Sequence, residues 1–167
     1  MKYYKLFLLF IALGFYPFEI YSQDITIKYL LELKKMNFSN TENILSRNGW
    51  ELIGLTEQKV FHETNYDFKR KHNKLNQYCQ LIVAENGLIR HIRFAFEEKQ
   101  LYNHLAKEFI LSNATNKQIE SNSIGFIRRA ILDRTEIVLY YNLNTYNLGS
   151  KYSLSINSLK ALLPAPN

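Results

Sequence analysis

The sequence predicts an α+β domain in which short N-terminal helices and a central helix accompany an antiparallel sheet. Three observations predict it. Apolar residues fall at helical spacing in two stretches, with Ile27, Leu30 and Leu31 near the N-terminus and Leu101, Leu105 and Phe109 in the middle. Asn86-Gly87 stands between two β-rich runs, which is a strong short-range hairpin signal. Near the C-terminus Tyr152, Leu154 and Ile156 alternate with Ser153, Ser155 and Asn157, the period of a half-buried strand. The order helices, strands, helix, strands also admits two helix-plus-sheet units sharing one continuous sheet. No residue-by-residue match between the halves accompanies it.

The chain opens on an expected export signal, residues 1–22. Lys2 and Lys5 form a positive n-region, Leu6 to Leu13 an apolar h-region, and Ser22 is a small residue suited to the position before a cut. A cut after Gly14 obeys the small-residue rule as well but leaves Phe15-Tyr16-Pro17-Phe18 on the mature chain. Gly14, Pro17 and Glu19 interrupt the apolar run, whereas a spanning helix needs about 20 nearly continuous apolar residues. No transmembrane span is therefore expected after cleavage. The expectation is an exported protein, periplasmic or secreted, with a single domain over residues 23–160 and a flexible tail over 161–167 marked by Pro164 and Pro166.

Each element has its own local reason. Asp24 is placed to cap a helix from Ile25 to Met36, Asn37-Phe38-Ser39 reads as a loop, and Asn40 or Thr41 can cap a second helix through Ile44 and Leu45. Asn48-Gly49 supplies the left-handed residue that ends it. Trp50, Leu52 and Leu55 then suggest a strand, and Tyr66, Phe68 and Arg70 alternate with Asp67 and Lys69 as a second. Tyr78 to Ala84 and Leu88 to Phe96 form the hairpin, with a type I′ turn expected at Asn86-Gly87. Ile92, Phe94 and Phe96 share one face and His91, Arg93 and Ala95 the other, so the sheet has one buried and one wet side. Glu97 and Glu98 open the central helix at its positive end. Asn113 to Ser123 reads as a polar loop, and strands follow at Ile124 to Leu132, Glu136 to Leu143 and Lys151 to Ser158, joined by Asp133-Arg134 and by Asn144 to Ser150.

Composition bounds the function. The formal charge is +6, lowered by one when Lys2, Lys5 and Glu19 leave with the signal, a mildly basic balance that favours solubility and weak attraction to polyanions. A single cysteine, Cys79, allows no intramolecular disulfide, so packing alone must hold the exported fold. The 12 Tyr and 11 Phe suit half-buried sheet surfaces.

The Ser-Gln near the mature start, two short helices and the Asn48-Gly49-Trp50 entry into antiparallel strands resemble small exported bacterial proteins of unknown function. The arrangement is also similar to the helix-plus-sheet repeats of the beta-lactamase-inhibitor-protein-like folds. That resemblance implies a protein-binding module and assigns no site residue.

No zinc-binding Cys pairs, HExxH helix, phosphate-cradling glycine loop or GxSxG elbow is present, and no cofactor is expected. The sharpest surface feature is the run Lys69, Arg70, Lys71, His72, Lys74, which concentrates positive charge where a strand enters a turn. Trp50 is either a core plug at the helix-to-strand corner or an exposed anchor, and it joins the basic run as the candidate partner-binding set. His62, Glu63, Asp67 and His91 are the residues on which a small envelope hydrolase would be built, and they would have to converge in one pocket. His104 and Glu108 stand at an i, i+4 spacing that suits a solvated pair. The expected function is a non-enzymatic binding module for an unknown protein or envelope polyanion, with export weighing against nucleic acid. The alternatives are the hydrolase and a basic polyanion binder.

Overall fold

The computed structural model describes residues 25–72, 74–122, 125–142 and 150–159. The expected signal, Asp24, Asn73 and the tail over 161–167 lie outside the described residues. Two helices come first, α1 (Ile27–Lys35) and α2 (Phe38–Arg47), followed by strands β1 (Glu51–Gln58), β2 (Glu63–His72), β3 (Leu75–Ala84) and β4 (Ile89–Phe96). Helix α3 (Lys99–Leu111) leads into β5 (Thr115–Asn122), β6 (Gly125–Leu132), β7 (Thr135–Asn142) and β8 (Tyr152–Ser158). This is the α+β class that the sequence predicts.

The helix starts differ from expectation by a few residues, and hydrogen bonding explains why. Thr26, not Asp24, caps α1, its hydroxyl accepting from the Tyr29 amide at 3.0 Å. Asn37 caps α2, its Oδ1 accepting from Asn40 N at 2.9 Å, so the stretch expected as a loop is the cap and first turn. Asn40 thus donates to the cap rather than forming it. The stop is as expected: Gly49 takes φ +77°, where a Cβ would be strained, and the chain turns straight into β1.

All eight strands form one antiparallel sheet in the order β1-β2-β3-β4-β8-β7-β6-β5. Each half is a meander that follows its own helix or helices, and the halves join where β4 pairs with β8. Phe94 lies opposite Leu154 across that joint, and Ile92 opposite Ile156. The hairpin between β3 and β4 is present, but its turn is another type. Gly87 N donates to Ala84 O at 2.8 Å and only Gly87 has positive φ, so this is a three-residue loop with a left-handed glycine in place of the expected type I′ turn. Consecutive positive φ values occur instead at Asp133 (48°) and Arg134 (60°), in the two-residue turn between β6 and β7.

One side of the sheet carries the core. Phe68, Leu81, Ile92, Phe94, Leu154 and Ile137 project from successive strands toward the helices and are at most 1% exposed. Helix α1 meets them with Ile27, Leu30 and Leu33, α2 with Leu45, and α3 with Leu105 and Phe109. Truncating such a fully buried phenylalanine costs about 3–5 kcal/mol, because the cavity adds to the lost transfer energy. An aromatic ladder runs through this side, Trp50 edge-on to Phe94, then Phe96, Tyr152 and Tyr141 in stacked steps. The polar segment read as a loop over Asn113 to Ser123 contains edge strand β5. Its residues 115–121 are exposed and pair with β6, so no apolar alternation is needed.

Candidate functional site

Among the described residues, no helix covers the opposite side of the sheet. Strand alternation and register together decide which side chains stand there, and rows of polar groups run across it from strand to strand. One row reads Asn65, Ile82, His91, Asn157, Glu136, Ile131, and the next Asp67, Gln80, Arg93, Ser155, Val138, Arg129. These positions are half-buried by their own neighbours.

The groups in these rows satisfy one another laterally. Gln80 Nε2 donates to Asp67 Oδ1 at 2.8 Å. His91 Nδ1 donates to Asn157 Oδ1, and Asn157 Nδ2 donates to Glu136 Oε2 at 2.9 Å. Arg129 Nη1 closes the chain on Glu136 Oε1 at 3.3 Å. This network crosses the β4–β8 joint, so it ties the two halves on the open side as the phenylalanine core does on the other. Burial pushes the His91 imidazolium below the usual histidine range; the Asn157 bond opposes that and Arg93 adds to it. A shallow recess of about 390 Å³ opens beside the network, lined by Gly54, Asp67, Tyr78, Gln80, Arg93 and Ser150. Gly54 contributes by having no side chain, since it faces Asp67 across the β1–β2 pair.

The structure divides the expected basic patch between the two sides of the sheet. Lys69 and Lys71 project to the open side, whereas Arg70 shares the side of Phe68 and is 7% exposed. Its guanidinium lies 4.7 Å from the Trp50 ring centre and donates to Gln77 Oε1 from Nε at 3.1 Å and from Nη2 at 2.7 Å. Gln77 in turn donates to Glu98 Oε1 at 2.9 Å. Burial lowers the Arg70 pKa while the Glu98 charge supports the cation. Trp50 is 3% exposed, which places it in the core and corrects its reading as an anchor. His72 is half-buried at the end of β2, and Lys74 is exposed in the turn beyond it with φ +67°. Of the candidate set, Lys69, Lys71 and Lys74 remain exposed or half-exposed cations, and Arg70 and Trp50 form an interior stack. The sequence gives no sign of Gln77 and Glu98 as its partners, since they stand 7 and 28 residues further along the chain. The signal for Arg70 was present in the Tyr66, Phe68, Arg70 alternation, which puts the arginine on the apolar side.

The four residues of the hydrolase alternative each take a different partner. His62 Nδ1 meets Glu85 Oε1 at 2.7 Å in the open, Arg90 Nη1 donates to Glu63 Oε1 at 2.7 Å, Asp67 accepts from Gln80, and His91 bonds Asn157. Glu108 does not pair with His104. Its two oxygens accept from the Ile27 and Lys28 amides at 2.9 and 3.2 Å, so it caps α1 from the far helix. Cys79 is fully enclosed and burial pushes its thiol up to about 12, which suits a small core hydrophobe. Among the described residues no three His, Cys, Asp or Glu side chains gather to hold a metal ion. Among them, too, no helix is long and apolar enough to cross a membrane.

Compared with known proteins, the chain matches no family model, no curated protein and no solved structure.

Proposed function

We propose that the chain is an exported, non-enzymatic binding module that receives a protein of the cell envelope on the open side of its sheet. One observation carries the reading: among the described residues the helices lie on one side of the eight-stranded sheet, and the other side presents polar side chains that bond along rows instead of converging on a reacting atom. A reaction centre needs a nucleophile or base and its orienting partner around one point. A recognition surface needs the reverse, a broad patch of side chains held in fixed rotamers, which lateral hydrogen bonds supply. Tyr78, Tyr140 and Arg93 stand among them, residue types favoured as interface anchors. The resemblance to beta-lactamase-inhibitor-protein-like modules agrees with this reading and belongs to the proposal.

The polyanion alternative is weakened by Arg70, whose burial removes the middle charge of the basic run. The hydrolase alternative lacks a shared pocket for His62, Glu63, Asp67 and His91.

The test is capture from an envelope extract by the wild-type chain and by an Arg93→Glu, Tyr140→Ser variant, each at low and high salt. The expected result is one stoichiometric protein retained at high salt by the wild type and lost with the variant. Retention of the same protein by both, or of salt-sensitive polyanions alone, overturns the proposal.

A further inference from the structure

A groove of about 900 Å³ runs between α1 and α3 on the helical side of the molecule, with the turn between β6 and β7 contributing to its lining. Its walls follow from helical periodicity. Lys28, Leu31 and Lys35 face it from α1, and His104, Lys107 and Leu111 from α3, each set spaced by three or four residues. Ile27, Leu31, Leu111 and Leu132 make it apolar, and Leu111 is 71% exposed.

Four lysines, Lys28, Lys34, Lys35 and Lys107, and three acids, Glu32, Glu108 and Asp133, line the groove, and the acids differ from the lysines in how many are already engaged. Glu108 spends both oxygens on the α1 amides, and Glu32 is held by Lys35 at 3.0 Å. Asp133 is the remaining acid, against Lys28, Lys34 and Lys107. Among the described residues Lys34 bonds no acceptor, and burial pushes its ammonium below the usual lysine range. A partly desolvated cation beside apolar surface is stabilised by any anion that reaches it.

We propose that this groove binds a long-chain carboxylate, the hydrocarbon tail lying along Leu31, Leu111 and Leu132 and the carboxylate met by Lys34 and Lys107. Charge complementarity selects an anion, and the apolar floor selects a tail. The walls select against an extended peptide, because helices bond their own backbone amides and offer none to a peptide laid beside them. A volume of about 900 Å³ falls in the range of small-ligand sites, about 300–1,000 Å³. The groove and the open side of the sheet are on opposite sides, so this inference stands apart from the proposed partner surface.

The experiment titrates the full chain with palmitate carrying ¹³C at the carboxyl carbon, read by NMR and calorimetry. Saturable one-to-one binding with a shifted carboxyl resonance is expected. Leu111→Glu, at an exposed position that leaves folding intact, should weaken binding about tenfold or more, as should the pair Lys34→Glu, Lys107→Glu. Hexadecanol, the same tail without the charge, should bind at least about tenfold more weakly than palmitate. Equal affinity of wild type and Leu111→Glu, which would mean that another segment takes the tail, overturns the proposal. So does equal binding of hexadecanol, or association only with phosphatidylglycerol vesicles. Circular dichroism and the melting temperature of each variant verify that the fold is retained, and the hexadecanol arm needs no variant.

Discussion

The outer strands β1 and β5 occupy equivalent places in the two halves of the sheet and are built from opposite materials. Strand β1 carries Leu52, Ile53 and Leu55, all exposed, and leads into a 3₁₀ turn with Val60 86% and Phe61 65% exposed. Its pairing with β2 shifts between Leu52 and Gly54, and it has no lysine and no proline. Strand β5 reads Thr-Asn-Lys-Gln-Ile-Glu-Ser-Asn, with Ile119 as its single large apolar residue. Its pairing with β6 shifts between Thr115 and Gln118, where Asn116 takes φ +50°. Lys117 Nζ reaches back to the carbonyls of Ile110 and Ser112 at 2.8 and 2.6 Å, anchoring the strand to the C-terminus of α3. Both edges therefore have a bulge, and β5 adds a lysine and a polar sequence, further devices that keep a sheet edge from pairing with another chain. The comparison teaches that one topology can be guarded by charge at one end and left apolar at the other, and that sequence at the edge decides which.

The largest effect should come from glycines near the two edges. At Gly125, the first residue of β6, a Cβ would fall 1.9 Å from the Tyr141 carbonyl oxygen, so β6 and β7 would have to part. Gly125→Ala is expected to destabilise by about 3 kcal/mol, the upper range for overpacking. At Gly54 in β1 the nearest atom is Asp67 Oδ2 at 3.4 Å and φ is not positive. Gly54→Ala should stabilise by about 0.4–1 kcal/mol through the unfolded chain's lost freedom. Urea unfolding of both variants measures the contrast. Equal losses would show that β1 is as tightly constrained as the β5 wing.

How much of this could be read from the chain depends on whether a residue's role is local. Ile92, Phe94 and Phe96 alternate with His91, Arg93 and Ala95, and the structure buries the first three and half-exposes the others, because β4 is central and one side has helices over it. Strand β5 was illegible for the opposite reason: at an edge and past the helices, it needs no apolar side. Arg70 was read as part of a charge run when its period already matched Phe68. Glu108 looked like a solvated partner for His104, yet it serves amides 80 and 81 residues earlier. The pairs on the open side, such as His91 with Asn157, depend on β4 meeting β8, which no spacing along the chain reveals. Apart from β5, element types are therefore legible in the sequence, and partners beyond the β3–β4 hairpin are not.

A smaller effect is confined to acid and tests the joint between the halves. His91 in the fold has its pKa below the ordinary 6.5, with burial the chief cause, so the unfolded chain binds the proton more readily. Stability from this group is complete above about pH 6.5 and declines as pH falls from there toward the depressed folded value. His91→Asn should flatten that part of the stability curve relative to wild type. Unfolding midpoints at pH 7.5, 6.5 and 5.5 would show it, and parallel curves would mean that His91 takes up its proton as easily in the fold as out of it.

Smaller still is the tie that closes the β5 edge. Lys117→Met removes a cation from the C-terminus of α3 and should cost about 0.3–1 kcal/mol, diminished by salt. Hydrogen exchange should quicken at the amides of β5 and of the last turn of α3, leaving β1 unchanged. Loss of protection at both edges would mean that β5 and β1 open as one unit.

The least effect on stability and the most direct test of the open edge come from Leu55→Lys. Leu55 is 55% exposed and lies opposite Tyr66 on the outermost pair, so the substitution should change the unfolding free energy by no more than about 0.5 kcal/mol. Its effect should fall on association. An apolar edge without a lysine offers unpaired amides and carbonyls beside exposed leucines, and a charge there opposes edge-to-edge pairing. In concentration series by light scattering, Leu55→Lys should stay monomeric to higher concentration than wild type, and the same charge placed on β5 as Ile119→Lys should change nothing. A wild type that stays monomeric throughout, or an equal response from Ile119→Lys, would remove the asymmetry between the edges. An advantage held by Leu55→Lys alone would identify β1 as the strand through which this sheet can be extended.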